Sequence, residues 1–197
     1  MACSPAHRPL TISFRLIRLD LSVHSRFDWR PQPDAAANPR IRGVTSEIGN
    51  KAKIPNPMLK PFQRFIGEWS TTGTHPLVPD TTLHGRSSFE WQDGGAFLVW
   101  RSQIDDDARF PNGIAIFGSD DEAGTIFISY FDERGISRKY DVTVETDGFI
   151  MQRTDPKFSQ RMTYSMEAGG NRIVSKGEMS RDGAAWEPDL STTYERQ

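Results

Sequence analysis

His75 and His84 are the side chains of this sequence best suited to chemistry. They stand nine residues apart on what read as adjacent strands, so they can approach each other. A histidine turned into the mouth of a barrel can hold a metal or act as a base. The same spacing also suits a solvated histidine beside a loop. Spacing supplies no third ligand and no carboxylate partner, so no metal site is expected. Asp105-Asp106-Asp107 and Asp120-Asp121-Glu122 lack the glycine and terminal glutamate of a calcium loop and read as solvated turns. Arg101, Arg138, Arg153, Arg161 and Arg172 fall within predicted strands. One or two of them facing inward would anchor a carboxylate, although a strand arginine more often sits on the wet face. Trp91, Trp100, Tyr130, Tyr140 and Tyr164 either line a cavity for an apolar or aromatic ligand or fill an ordinary core. The chain has no supported Ser/His/Asp order, nucleophile elbow, phosphate loop or dinucleotide fingerprint.

The elements that position these residues begin at Gly67-Glu68-Trp69. Gly67 allows a sharp entry into the first strand, and Trp69 offers a flat side chain large enough to cork a barrel. A short helix over about 58–66 precedes them. Ten strands then follow at regular spacing, at about 67–75, 82–92, 96–104, 113–118, 125–131, 136–146, 149–154, 158–167, 172–179 and 185–196. Turns such as Asp93-Gly94-Gly95, Asp147-Gly148 and Arg181-Asp182-Gly183 join them. The class is all-β, a closed antiparallel up-and-down barrel of about ten strands, lipocalin- or fatty-acid-binding-protein-like, because closure removes both raw edges of a meander. A sandwich is the runner-up. Residues 96–131 are apolar on both faces, so a second copy, the 58–66 helix or the N-terminal segment should cover this wall, and a homodimer is the expected solution.

Composition narrows the role. The 197 residues suit one domain, residues 58–197, behind an extension, residues 1–57. The extension is Pro- and Arg-rich and reads as disordered or targeting-like, with a strand also conceivable over Leu10 to Val23. Residues 58–197 hold fifteen Lys/Arg against twenty-two Asp/Glu, a poor surface for a phosphate backbone, so no nucleic-acid partner is expected. The single cysteine, Cys3, rules out an internal disulfide or a Cys-based metal cluster. No apolar run approaches the roughly 20 residues of a membrane helix, so no membrane partner is expected and the location reads as cytoplasmic.

Gly67-Glu68-Trp69 after a short helix, Gly73, and the terminal Tyr194-Glu195-Arg196 resemble the calycin-like barrels. The likeness is nearest to the nitrobindin-like group and a related bacterial family of uncharacterised domains, and it covers about residues 58–197. It implies that Arg196 packs over Trp69 to close the barrel, with a solvated terminal charge as the alternative. It also implies haem held by a histidine on the last strand, but here Ser191, or a threonine within two residues, stands at that place. A hydroxyl does not replace an axial imidazole, so haem is disfavoured and no cofactor is expected. The expected function is binding of a small hydrophobic or amphipathic molecule, with His75, Trp91, Trp100, Arg101, Tyr130, Arg138, Tyr140, Tyr164 and Ser191 around it. An enzyme of the same fold using His75, Tyr130 or an arginine is one alternative. A filled barrel serving as a protein-interaction module is the other.

Overall fold

A computed structural model describes residues 53–105 and 109–197 of the chain. Cys3, the strand read over Leu10 to Val23, most of the expected extension, and Asp106-Asp107 lie outside the described residues.

The first element is a 3-10 helix, Pro57–Phe65, where a short helix was expected. Pro61 cannot donate to the backbone ladder, and Leu59, Phe62 and Phe65 recur every third residue. Three residues per turn stacks all three on one face, and all three are buried. Asn56 caps the start, with its Oδ1 accepting from the Met58 N–H at 3.0 Å.

Eleven strands follow: β1 Gly67–Thr74, β2 Leu83–Gln92, β3 Phe97–Ile104, β4 Gly113–Asp120, β5 Thr125–Asp132, β6 Ser137–Val144, β7 Gly148–Arg153, β8 Ser159–Met166, β9 Arg172–Ser180, β10 Glu187–Pro188 and β11 Ser191–Arg196. Each of β1 to β9 pairs antiparallel with its sequence neighbour. β11 pairs with both β9 and β1 and shuts a ten-strand barrel. The fold is an all-β closed barrel, as the turn spacing predicts, with the calycin-like architecture that the resemblance implies.

One expected strand, 185–196, is broken. β10 pairs Pro188 with Glu178, whereas β11 pairs Thr192 with Ser175, so β11 carries one residue more than β9 across this span. The extra residue makes a bulge at Asp189-Leu190, and Asp189 N–H still donates to Gly177 O at 2.9 Å. Gly177 faces this bulge at close range. A Cβ there would lie 2.5 Å from the Leu190 carbonyl oxygen.

The helix end of the barrel is solid. Phe62 packs edge-on against Phe117 and Phe149, at 5.0 and 5.4 Å between ring centres. Trp69 is 1% exposed, and its Nε1–H donates to Phe65 O at 2.9 Å. The Arg196 guanidinium lies 4.1 Å over the Trp69 ring. It also donates to the carbonyls of Ile66, Arg64 and Gly170 at 2.7, 2.8 and 3.0 Å, so it is not a solvated terminal charge. Gly67 adopts φ +130°, and a Cβ there would come within 2.8 Å of the same guanidinium.

The 3-10 helix closes the end of the barrel and is therefore not the cover for the outer wall of β3–β5. That wall presents half-buried Ile114, Ile116 and Phe127, with Phe131 43% exposed. Among the described residues no helix is long and apolar enough to cross a membrane, which says nothing about a β-barrel.

Candidate functional site: the open end of the barrel

The loops after β1, β3, β5, β7 and β9 all lie at the end opposite the helix. They surround a cavity of about 370 Å³. Met151, Met162, Tyr164 and Tyr194 form its apolar floor, and Trp100 forms part of the wall. The Trp100 ring stacks on Phe89 at 5.3 Å and donates through Nε1–H to Ser87 Oγ at 3.0 Å. A fixed aromatic wall of this kind offers a body-sized apolar surface without polar competition.

A chain of hydrogen bonds crosses one side of the cavity. The Leu77 N–H donates to His75 Nδ1 at 3.0 Å, which places the proton of a neutral ring on Nε2. Nε2 then donates to Asp189 Oδ1 at 3.0 Å. The other carboxylate oxygen, Oδ2, accepts from Gln160 Nε2 at 2.6 Å. The Gln160 carbonyl in turn accepts from the Tyr140 hydroxyl at 2.6 Å. The His75 and Asp189 side chains are each 10% exposed. Strand alternation aims Tyr140 and Gln160 inward, and His75 continues the inward series of Trp69, Thr71 and Gly73. Asp189 arrives differently. Its partner Gly177 and the Thr192 partner Ser175 are both inward positions on β9, so the bulge lets Asp189 and Thr192 face the same interior at a spacing of three.

Burial pushes the Tyr140 phenol up, against a downward pull from Arg138. Burial, and then the Asp132 carboxylate, raise Tyr130 well above the ordinary phenol value. Tyr164 and Tyr194 are raised chiefly by burial. These are all four tyrosines of the chain, and none offers a phenolate base at neutral pH.

The charged side chains lining the cavity are mostly cationic. Arg86, Arg109, Arg134, Arg138 and Arg181 border the cavity, and Asp189 is the single carboxylate among the described lining residues. Arg134 is held by Asp132 at 2.7 Å, and Arg86 lies 3.5 Å from Asp105. The Arg138 guanidinium sits 4.4 Å over the Phe158 ring.

The structure brings His75, Trp100, Tyr130, Arg138, Tyr140 and Tyr164 to this cavity. Three expected members stand elsewhere. Trp91 lies at the helix end, where its Nε1–H donates to Gln63 Oε1 at 2.9 Å. Arg101 is on the outer face of β3, in a shallow groove with Arg86 and Ser88, because its neighbours Trp100 and Ser102 take the inward positions. Ser191 faces away and Thr192 faces in, since Thr192 shares the inward phase of Tyr194. His84 is exposed and stands opposite Thr72, not opposite His75. Arg153 is bound to Phe158 O and Asp155, Arg161 to Glu178, and Arg172 to Glu167 and Glu195. Asp120 caps its own turn through the N–H groups of Glu122 and Ala123. No cluster of metal-binding side chains occurs among the described residues.

Sequence reasoning missed Gln160, Asp189, Arg109, Arg134 and Arg181. One signal for Asp189 was present. An isolated glycine inside a strand pattern, here Gly177, marks a bulge or a close backbone approach.

No family model and no curated protein matches the chain. Among solved structures, it is similar to Rv2717c from M. tuberculosis, with a TM-score of 0.54 and 15% identity, over 74% of this chain and 99% of that one. It also matches the S-type phycobiliprotein lyase CPES from Guillardia theta, with a TM-score of 0.45 and 11% identity, over 70% of this chain and 91% of that one. At such identity the first likeness speaks for the barrel fold alone, and the second is too distant to add to it.

Proposed function

We propose that this barrel binds a small amphipathic molecule, with its apolar body on the Trp100, Met162 and Tyr194 surface and its polar end toward the mouth. The observation that carries this reading is the cavity of about 370 Å³ beneath an open rim, in a barrel whose other end is packed solid. Pockets for small ligands begin at roughly 300 Å³ and combine apolar walls with a few placed polar groups. A filled core serving only as a protein-interaction module is the poorer fit to that space.

The His75–Asp189 contact at 3.0 Å favours a second reading, an enzyme of the same fold acting on a small organic substrate. Both ring nitrogens are already engaged, one by Leu77 N–H and one by Asp189. A catalytic base needs a nitrogen facing the substrate, so the pair fits better as a fixed polar wall. The same engagement, with Thr192 as the inward residue of β11, supports a non-haem ligand. We keep the nitrobindin-like grouping as part of this proposal, on Gly67-Glu68-Trp69 and Tyr194-Glu195-Arg196, for a member that does not use the haem histidine.

Two copies pairing through the outer wall of β3–β5 belong to the same proposal. The exposed Phe131 beside Ile114, Ile116 and Phe127 supports it.

The test of binding is a fluorescence titration with the neutral apolar dye N-phenyl-1-naphthylamine, repeated on Thr192→Trp. The native barrel is expected to take one dye per chain. An indole at position 192 should weaken this by about tenfold or more by occupying the same space. Equal binding by both proteins would place the dye outside the cavity and remove the reading.

A further inference from the structure

We propose that the molecule held here is an organic anion, with one carboxylate- or sulfonate-type head bound by Arg138 at the mouth and its apolar body on the aromatic floor. This rests on the binding reading above and names its ligand class.

The first observation is an inversion of charge. Residues 58–197 carry more acids than bases, fifteen Lys/Arg against twenty-two Asp/Glu. The described cavity lining carries five arginines and one aspartate. The barrel is acidic overall, but the charged side chains that line its cavity are mostly cationic, so an anion held there meets more cations than acids.

The second observation is how the charges are already used. Asp189 is the carboxylate of the lining, and His75 and Gln160 occupy both of its oxygens. Asp132 takes Arg134, and Asp105 stands beside Arg86. Among the described residues, Arg138 meets the Phe158 face and the Tyr140 hydroxyl and stands opposite Tyr130, and all three are neutral. A half-buried guanidinium is costly unless an anion meets it. The Phe158 ring holds the guanidinium at the cavity, and the N–H donors that Tyr140 does not use can meet carboxylate or sulfonate oxygens.

The third observation is the position of Arg138. It precedes Tyr140 by two residues on β6, so both face inward, with Arg138 nearer the rim. Tyr140, Tyr164 and Tyr194 below it remain neutral phenols that do not repel an anion. An amphipathic anion thus meets cation first and apolar floor second, in the order in which it would enter.

Two dyes of one skeleton test this. 1-Anilinonaphthalene-8-sulfonate carries a sulfonate that N-phenyl-1-naphthylamine lacks. The native protein should bind the sulfonate about tenfold or more tightly than the neutral dye. Added sodium chloride should weaken the sulfonate alone. Arg138→Met should erase the gap, read as the ratio of the two affinities within the same variant. Arg181→Gln, at an exposed rim position whose loss does not threaten folding, should narrow the gap about two- to threefold. Equal affinities in the native protein, or a gap that survives Arg138→Met, would overturn the anion proposal and leave the cavity reading intact. If Arg138→Met does not fold, the native salt dependence decides, and its absence counts against the proposal. If neither dye binds, the binding reading itself falls and takes this one with it.

Discussion

Asp189 shows what single residues contribute and what they conceal. In the sequence it follows Pro188 in a stretch without periodicity, and its partner His75 lies 114 positions away. Nothing local ties the two together. Arg196 and Trp69 were more legible, because each sits at a terminus of the barrel motif and a cation facing an indole is a recognisable pair. Arg196→Ala removes that stacking and three hydrogen bonds, to the carbonyls of Arg64 and Ile66 at the helix end and of Gly170 in the turn before β9. It should lower stability by about 2–4 kcal/mol, read as a shift in the urea midpoint at unchanged slope. A shift near zero would mean that the contact is solvated and idle. The tyrosines give a pH prediction. A phenol whose folded value is raised holds its proton more tightly in the folded state. Its stabilising contribution is complete below the unfolded value of about 10 and is lost as pH rises toward the folded value. At about pH 11 the native protein should show less phenolate absorbance than the unfolded chain, and unfolding in urea at that pH should raise the signal. A tyrosine that ionises near the ordinary value in the native state would contradict the burial assigned to it.

At the scale of elements, most of the strand pattern was legible because Gly- and Asp-containing turns punctuate it. Nine strands lie within two residues of where those turns place them. The tenth divides at Asp189-Leu190, a break set by the strand opposite. Matching the family's terminal pattern without gaps points to Ser191 or a threonine within two residues, and the bulge settles the phase so that Thr192 faces in and Ser191 does not. Gly177 is the physical condition for the bulge. Gly177→Ala would put a methyl group 2.5 Å from the Leu190 carbonyl. The expected cost is about 1–3 kcal/mol. With Asp189 displaced, binding of N-phenyl-1-naphthylamine should weaken in the variant even under conditions where circular dichroism shows it fully folded. Native stability and binding in this variant would mean that the bulge does not hold the polar wall. Trp91 teaches the same lesson along the strand: facing inward does not say which end of the barrel a residue reaches.

For the whole molecule, the sequence favoured closure of the sheet over a sandwich, because closure removes both raw edges of an uninterrupted meander. It did not reveal which end stays open. That follows from the phenylalanines of the 3-10 helix, which fill one end, and from the five loops that leave the other free. The proposed dimer would pair through the outer wall of β3–β5. Sedimentation should give twice the chain mass for the native protein and the chain mass for Phe131→Glu, and a native monomer would end that part of the proposal. The most direct test of the central claim is native mass spectrometry on the protein purified gently from its own host. The expected spectrum shows the chain, or its dimer, carrying one small organic mass per barrel that leaves on denaturation. A bare chain, in a preparation that also fails to bind N-phenyl-1-naphthylamine, would contradict it.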